Sequence, residues 1–300
     1  MIGTILEYPV FTFDQQEIVP AGTSLSPAML TELVSESKVL KESSPLLTYA
    51  SVEKDLHSFI TKPPYTIIFN DQKRKNLVFK TMEKVALPSP LLESLYHFRK
   101  VDFYTYRHFL LVYALSTLLA EQLIPNKNDM SREVLAGPTH DIGKLCVPLH
   151  ILKKESPLTE RELASLRHHT VAGYILLSYY FKDASHFAAI VARDHHERKD
   201  GSGYPRGIKI DNPLVDIIMV SDIYDALISQ RPYRSESFDN RTALEEITCQ
   251  ANAGKISKDA VQALIAANRA NKPHFSECTL SDERRGSEPT HNVYGITTSE

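Results

Sequence analysis

Short apolar segments bounded by polar turn residues mark the beginning of the chain. Such segments lie at 4–6, 9–11 and 18–19, and this spacing predicts short strands joined by tight turns. Apolar residues then recur at helical spacing from Met29 to Val34, which predicts a helix with a serine cap. A further apolar run, 65–69, follows two prolines and predicts another strand. This part of the chain is therefore expected to form a small unit of helices and strands.

Helical periodicity dominates after Pro88-Ser89-Pro90, which we interpret as a junction. Helices are predicted over 90–102 and 103–124. A third, over about 130–142, contains Gly137-Pro138, and a kink or restart is expected there because proline removes a backbone donor and clashes with the preceding turn.

The rest of the chain is predicted to be helical as far as its polar end. Residues 159–181 predict one helix that begins with a capping box, and 184–195 and 214–228 predict two more. A helical pair over 241–270, broken at a glycine, completes the pattern. The fold class is therefore mainly α, with a small β-containing N-terminal domain. We assign 1–89 to an accessory or regulatory domain, 90–272 to a catalytic domain and 273–300 to a flexible tail.

Composition narrows the class of protein. The 300 residues are 42% hydrophobic and 24% charged, as is ordinary for a globular chain, and the net charge of −3 gives no support for binding a DNA or RNA polymer. The apolar run from Phe109 to Ile124 is too short and too polar to span a bilayer, and no signal peptide is expected. The three cysteines form no pairing or zinc pattern, which favours a reducing cytoplasm.

Histidines that lie near acidic residues occur in the part of the chain that is predicted to be helical. Six of the twelve histidines lie at 108, 140, 168, 169, 195 and 196, near Asp141 and Asp222. Neutral imidazole and carboxylate together suit Lewis-acidic divalent ions such as iron, manganese or zinc. So many ligands indicate a binuclear centre.

Four motifs resemble the HD-GYP family, a branch of the HD metal-dependent phosphohydrolases that hydrolyse cyclic dinucleotides. They are His140 through Lys144, His195 through Glu197, Asp200 through Pro205, and Asp222 through Arg234. The resemblance runs from about 98 to 268 and implies an HD-type helical bundle.

The resemblance also implies a role for individual residues. The implied metal ligands are His108, His140, Asp141, His169, His195, His196 and Asp222. Asp141 and Lys144 are the implied catalytic residues, and Lys144, Tyr204, Arg231 and Arg234 are expected to bind substrate.

Four other positions need separate interpretation. A glutamate that adds a third metal in part of the family is replaced by Tyr104, so two divalent ions are expected, iron or manganese. Only one of His168 and His169 can face the site, and the family spacing selects His169. Asp225 is left to cap or to bind groups behind the ligands, and Glu197 either orients histidines or lies on the surface.

The function implied is hydrolysis of cyclic di-GMP to pGpG, and in turn GMP, by a hydroxide that two metals activate. A phosphodiesterase for cyclic GMP-AMP and a non-catalytic cyclic-dinucleotide receptor are the alternatives. A generic nucleotide phosphohydrolase is disfavoured by the Gly-Tyr-Pro and Arg-Pro-Tyr-Arg segments. A homodimer or a signalling-protein partner is left open, and no membrane partner is expected.

Overall fold

A computed structural model describes most of the chain. The described residues are 4–38, 42–125, 136–230, 236–290 and 297–298.

Two small antiparallel pairs of strands open the fold. β1 (Thr4–Ile5) pairs with β4 (Ser24–Leu25), and β2 (Val10–Phe11) pairs with β3 (Glu17–Val19). α1 (Pro27–Glu36) follows, and the Ser26 hydroxyl caps it by accepting a hydrogen bond from the Met29 amide at 3.2 Å. The strands and the helix predicted for this region are confirmed.

The next segment differs from the sequence prediction at one place. β5 (Ser43–Pro45) pairs with β6 (Ala86–Pro88), and α2 (Val52–Ile60) and α3 (Gln72–Met82) lie between them in the chain. The strand predicted over 65–69 is wrong, because residues Tyr65–Ile67 form a 3₁₀ turn. A short apolar run does not distinguish a strand from a buried turn, and here the side chain of Tyr65 is buried.

The central element is a long helix that is buried on nearly every side. α4 (Ser89–Val101) leads into α5 (Phe103–Leu123), as predicted. The carboxylate of Asp102 caps α5 by accepting a hydrogen bond from the Thr105 amide. Residues of α5 from Thr105 to Ala120 are buried, apart from Arg107.

The elements that follow carry most residues of the candidate site. After 3₁₀ turns at Gly137–Thr139 and Ile142–Cys146 come α6 (Leu149–Leu152), β7 (Leu158–Thr159), α7 (Glu160–Arg167), α8 (His169–Phe181) and α9 (Phe187–Asp194). The capping box at Thr159 is confirmed, but the single helix predicted over 159–181 is interrupted at His168. The restart expected at Gly137-Pro138 is a 3₁₀ turn in the part of 130–142 that the structure describes.

Three helices close the bundle. They are α10 (Pro213–Ile228), α11 (Asn240–Asn252) and α12 (Lys258–Asn268). Gly254, with a φ of +74°, makes the turn between the last two, where the break is predicted. Described residues of the polar tail contact this pair: Cys278 is buried, and Glu245 accepts a hydrogen bond from the Arg285 amide. A last strand, β8 (Thr297–Thr298), pairs with β7.

The mainly helical fold with a small β-containing N-terminal part is confirmed. The buried apolar side chains form one cluster, which runs from Leu6 in the N-terminal part to Ala267 in the last helix. The division into two domains and a tail stays a prediction. None of the described helices has both the length and the apolar character needed to cross a bilayer.

Candidate metal centre

The seven side chains expected to bind metal converge in one region of the bundle. They form two clusters, and within each cluster the ligand atoms lie within 4.8 Å of one another. One cluster is His108, His140 and Asp222, and the other is Asp141, His169, His195 and His196. All but the half-buried His196 are buried in the fold.

Asp141 lies between the two clusters. Its Oδ2 atom is 3.6 Å from Nε2 of His108 and 3.5 Å from Nε2 of His140. Its Oδ1 atom is 3.1 Å from Nε2 of His169 and 3.6 Å from Nε2 of His195. The carboxylate therefore presents one oxygen to each group of histidines, which is the geometry of a bridging ligand.

The backbone fixes the orientation of three of these rings. Nδ1 of His140 lies 2.6 Å from the Gly137 carbonyl oxygen, and Nδ1 of His169 lies 2.6 Å from that of Leu166. Nδ1 of His195 lies 2.9 Å from the Ala192 carbonyl oxygen. Because a carbonyl oxygen only accepts, Nδ1 must carry the proton in each ring, and Nε2 of the neutral ring points its lone pair into the site.

Several ligand atoms of the two clusters are buried and lie close to one another. Nε2 of His108 and Nε2 of His140 are 3.3 Å apart. Oδ1 of Asp141 and Nε2 of His169 and His195 are buried and have no hydrogen-bond partner among the residues that the structure describes. Buried acceptors that face each other are costly unless a cation lies between them. The donor set therefore fits divalent metal ions, and the cluster could hold them.

At four of the ligands, burial and charge favour the protonation state that metal binding requires. Burial lowers the pKa of His140 to about 3 and also lowers the pKa of His169 and His196. Burial acts to raise the pKa of Asp141, but the Lys144 ammonium and the neighbouring histidines outweigh it and hold that pKa well below its usual range. Neutral imidazoles beside an ionised carboxylate are the ligand state for a divalent cation.

His108 is held from both sides by the two aspartates of α10. Its Nε2 atom is 3.0 Å from Oδ1 of Asp222, and its Nδ1 atom is 2.6 Å from Oδ2 of Asp225. Oδ1 of Asp225 accepts a further hydrogen bond from the hydroxyl of Tyr65. Asp225 is expected from the sequence to cap or to bind groups that support the ligands. The structure places it on Nδ1 of His108, the ring nitrogen that does not point into the site. Sequence reasoning missed Tyr65, which it put in a strand.

Gly143 allows the segment 140–144, here called the anchor turn, to touch α8. A Cβ atom on Gly143 would lie 2.8 Å from the His169 carbonyl carbon and closer still to its oxygen and to the Gly173 amide nitrogen. No side chain fits there, so glycine is required for Asp141 and His169 to meet. In the same 3₁₀ turn, Nζ of Lys144 lies 2.5 Å from Oδ2 of Asp141.

The glycine-rich loop covers His196. The ring of Tyr204 stacks on His196 with centroids 4.6 Å apart, and the guanidinium of Arg167 lies 5.0 Å from the centre of the Tyr204 ring. Glu197 is fully buried and accepts hydrogen bonds from the Arg206 and Ile208 amides at 2.7 and 3.1 Å. Both expectations for Glu197 are wrong: it holds the loop, and neither orients a histidine nor lies on the surface. The sequence analysis did not single out Arg167.

His168 points away from the centre. It is 8% exposed and packs against the ring of Tyr8, 5.5 Å away, in the N-terminal part. The side chain of His168 is therefore buried against the N-terminal part of the chain. The ring of Tyr104 lies parallel to that of His108, with centroids 5.9 Å apart. Arg231 and Arg234 lie outside the described residues.

Comparisons with known proteins find similarity over the helical part of the chain. The model of a family described as HD domain matches residues 78–259. A cyclic di-GMP phosphodiesterase of Thermotoga maritima is 37% identical over 169 residues, which are 55% of this chain and 45% of that protein. A cyclic di-GMP phosphodiesterase of Pseudomonas aeruginosa is 41% identical over 151 residues, 49% of this chain and 36% of that protein.

A third relative carries a different substrate in its name. A 3'3'-cGAMP-specific phosphodiesterase of Vibrio cholerae is 32% identical over 165 residues, 54% of this chain and 37% of that protein. The chain thus spans less than half the length of these three relatives. Among solved structures, an HDG"Y"P protein of Bdellovibrio bacteriovorus is 16% identical, with a TM-score of 0.47 over 90% of this chain and 96% of that one.

Proposed function

Because this chain belongs to the HD domain family, we propose that it is a metal-dependent phosphodiesterase that hydrolyses cyclic di-GMP. The resemblance to HD-GYP proteins predicted from the four motifs is confirmed by the family match and by the named phosphodiesterase relatives. The observation that carries the proposal is the pair of ligand clusters that meet at Asp141. Substrate and products are proposals for this chain, since it spans less than half of each relative compared above.

We assign the ligands to two divalent ions, iron or manganese. His108, His140 and Asp222 would hold one ion, and His169, His195 and His196 the other, with Asp141 shared between them. Imidazole with carboxylate and no thiolate suits these metals. Bound here, the ions would supply Lewis acidity to the phosphate oxygens and lower the pKa of a water between them towards neutrality.

The remaining site residues would bind and orient the dinucleotide. Lys144 pairs with Asp141 at 2.5 Å, so its ammonium lies where a phosphate oxygen or the leaving oxygen would approach. Tyr204 is proposed to contact the dinucleotide beside His196, on which its ring is stacked. Arg231 and Arg234 are proposed as phosphate or guanine-edge donors on the motif alone.

We propose linear pGpG as the product, with GMP formed if pGpG is hydrolysed in turn. We also propose a cytoplasmic location, which the free thiols of Cys146, Cys249 and Cys278 support. Cyclic GMP-AMP is the second candidate substrate, because one relative of comparable identity is named for it. A receptor without catalysis is disfavoured, since it would have no need of converging metal ligands.

The test is metal analysis of protein purified without oxygen, together with a chromatographic assay on cyclic di-GMP, cyclic di-AMP and 3'3'-cGAMP. We expect two ions per chain and the fastest turnover with cyclic di-GMP. Asp141→Ala should lose both activity and metal, because one carboxylate serves both clusters. Wild-type protein that binds all three dinucleotides but hydrolyses none, with its metals in place, would favour the receptor.

A further inference from the structure

The N-terminal part of the chain reaches the candidate metal centre through Tyr65. This side chain is 1% exposed, and its hydroxyl donates a hydrogen bond to Oδ1 of Asp225. Oδ2 of the same carboxylate is 2.6 Å from Nδ1 of His108. Tyr65, Asp225 and His108 therefore form a continuous buried chain of hydrogen bonds that ends at a candidate metal ligand.

We infer that Tyr65 is a positioning residue of the metal centre. Acting through Asp225, its hydroxyl holds the ring of His108 in the orientation that points Nε2 at the metal. The inference rests on the proposed function in requiring a metal at this site, and it adds a group from outside the matched HD domain, which begins at residue 78.

The geometry gives the hydroxyl this role. Asp225 is fully buried, and its two oxygens bond in different directions, Oδ1 to Tyr65 and Oδ2 to His108. Rotation of the carboxylate about its own axis would break both hydrogen bonds together. With Tyr65 present, Oδ2 is held in line with Nδ1 of His108, and the proton is kept on Nδ1.

The position of the His108 ring matters within a few tenths of an ångström. Its Nε2 atom lies 3.0 Å from Oδ1 of Asp222 and 3.3 Å from Nε2 of His140, which belong to the same ligand cluster. A tilt of the ring moves Nε2 directly out of that cluster. Partners behind a ligating histidine typically change metal affinity or activity about 10- to 100-fold when they are removed.

Other groups hold Tyr65 itself in place. Its amide donates to the Lys62 carbonyl at 3.0 Å within the 3₁₀ turn, which sets the direction of the side chain. The guanidinium of Arg107 lies 5.5 Å from the centre of the Tyr65 ring and donates to Oγ of Ser229 at 3.0 Å. Ser229 Oγ is in turn 3.3 Å from Oδ1 of Asp225. The turn that replaces the expected strand thus serves to aim Tyr65 at Asp225.

Tyr65→Phe removes the hydroxyl and keeps the ring, and Tyr106→Phe is its matched control. Tyr106 is also 1% exposed, and its hydroxyl also donates to an aspartate, Asp55 at 2.9 Å, but that aspartate contacts Arg99 and no metal ligand. The full chain is stripped of metal and titrated with Mn²⁺ alone by calorimetry. We expect Tyr65→Phe to weaken Mn²⁺ binding about tenfold or more, and Tyr106→Phe to change it by less than about twofold.

A double-mutant cycle tests the route through Asp225. In an Asp225→Asn background, Tyr65→Phe should cause no further loss of Mn²⁺ affinity, because the two residues act as one unit. The inference would be overturned if Tyr65→Phe weakened Mn²⁺ binding as much in the Asp225→Asn chain as in wild type. It would also be overturned if Tyr65→Phe and Tyr106→Phe weakened Mn²⁺ binding equally. If Tyr65→Phe does not fold, Ser229→Ala is used in its place, because Ser229 contacts the same oxygen of Asp225. A folded Ser229→Ala chain with wild-type Mn²⁺ affinity would count against the inference.

The assay on cyclic di-GMP separates this inference from the proposed function. A wild-type chain that binds Mn²⁺ and hydrolyses the dinucleotide, together with a Tyr65→Phe chain of equal Mn²⁺ affinity, overturns the inference alone. Wild-type chain that binds Mn²⁺ without hydrolysing any dinucleotide overturns the proposed function and leaves the Tyr65 comparison valid. A wild-type chain that binds neither Mn²⁺ nor Fe²⁺ overturns both.

Discussion

Replacing Gly143 by alanine should separate the two halves of the metal centre. A Cβ atom at this position would lie 2.8 Å from the carbonyl carbon of His169, where non-bonded carbon atoms are normally about 3.5 Å apart or more. The neighbouring atoms belong to the backbone of α8, so no side-chain rotation can relieve the overlap. The carbonyl oxygen of His169 and the amide nitrogen of Gly173 would be closer still, so the anchor turn and α8 must move apart by more than the roughly 0.7 Å that the contact with the carbonyl carbon alone requires.

That movement has a cost in stability and a larger one in function. Overpacking of a buried contact costs about 1–3 kcal/mol, and a clash between backbone atoms belongs at the upper end. Asp141 lies on one side of the clash and His169 on the other, and their ligand atoms are now 3.1 Å apart. A displacement of about 1 Å at reacting groups can reduce rate about 100-fold. We expect Gly143→Ala to keep its helical content, lose metal and lose nearly all turnover.

Gly173→Ala is the matched control, since Gly173 lies on the facing helix. Its Cβ would lie 3.1 Å from Cβ of Ala192, a milder contact with a side-chain atom. Alanine also gains roughly 1 kcal/mol over glycine inside a helix, which offsets the crowding. Chemical denaturation, metal analysis and turnover are compared for both variants. Gly143→Ala with wild-type metal content and turnover would refute the role of close approach in assembling the site.

Other perturbations test individual assignments. His169→Ala should lose at least one metal and nearly all turnover, measured by elemental analysis and chromatography, whereas His168→Ala should retain both and lose about 2 kcal/mol at pH 7, because its ring is buried. Burial lowers the pKa of His168 to about 4, below the unfolded value near 6.5, so the wild-type chain loses stability as pH falls from 6.5 towards 4. When the free energy of unfolding of metal-free protein is measured over that pH range, His168→Ala should lose less stability than wild type. Parallel curves of stability against pH for the two proteins would contradict this. Elemental analysis should find two ions per chain, and Tyr104→Glu should recruit a third; three ions in wild type would be inconsistent with Tyr104 excluding one. Arg231→Ala should weaken substrate binding by about 1.5–3 kcal/mol, seen as a higher KM, and an unchanged KM and rate would exclude a phosphate contact.

The sequence could predict the helices and the residues that form the candidate metal centre, because both are encoded locally. α5 and α10 follow from apolar periodicity, and their ends fall within two residues of the predicted bounds. The ligands come in short motifs, so each one is fixed once the helix that carries it is in register. The choice between His168 and His169 follows from the angle of about 100° between neighbours on a helix, and the structure places the two rings on opposite sides.

The groups behind the ligands could not be predicted, because each depends on contacts distant in the chain. Tyr65 lies 160 residues from Asp225, and its apolar neighbours indicate a strand as readily as a buried turn. The contact of His168 with Tyr8 is of the same kind. A sequence shows that a histidine is suited to bind metal, but not which distant hydroxyl or carboxylate will orient it.

Glu197 shows why proximity to a ligand in the chain does not fix a role. It follows His195 and His196 directly, and a carboxylate there would be expected to orient one of them. The ring of His195 is already oriented, since its Nδ1 atom bonds to the backbone one turn earlier. The Glu197 carboxylate instead accepts the amides of Arg206 and Ile208, and Gly203 leaves no room for a side chain where the loop folds back on Glu197. That clamp holds Tyr204 against His196. Glu197 therefore acts by shaping the loop that covers His196, the side of the site on which we propose that substrate binds.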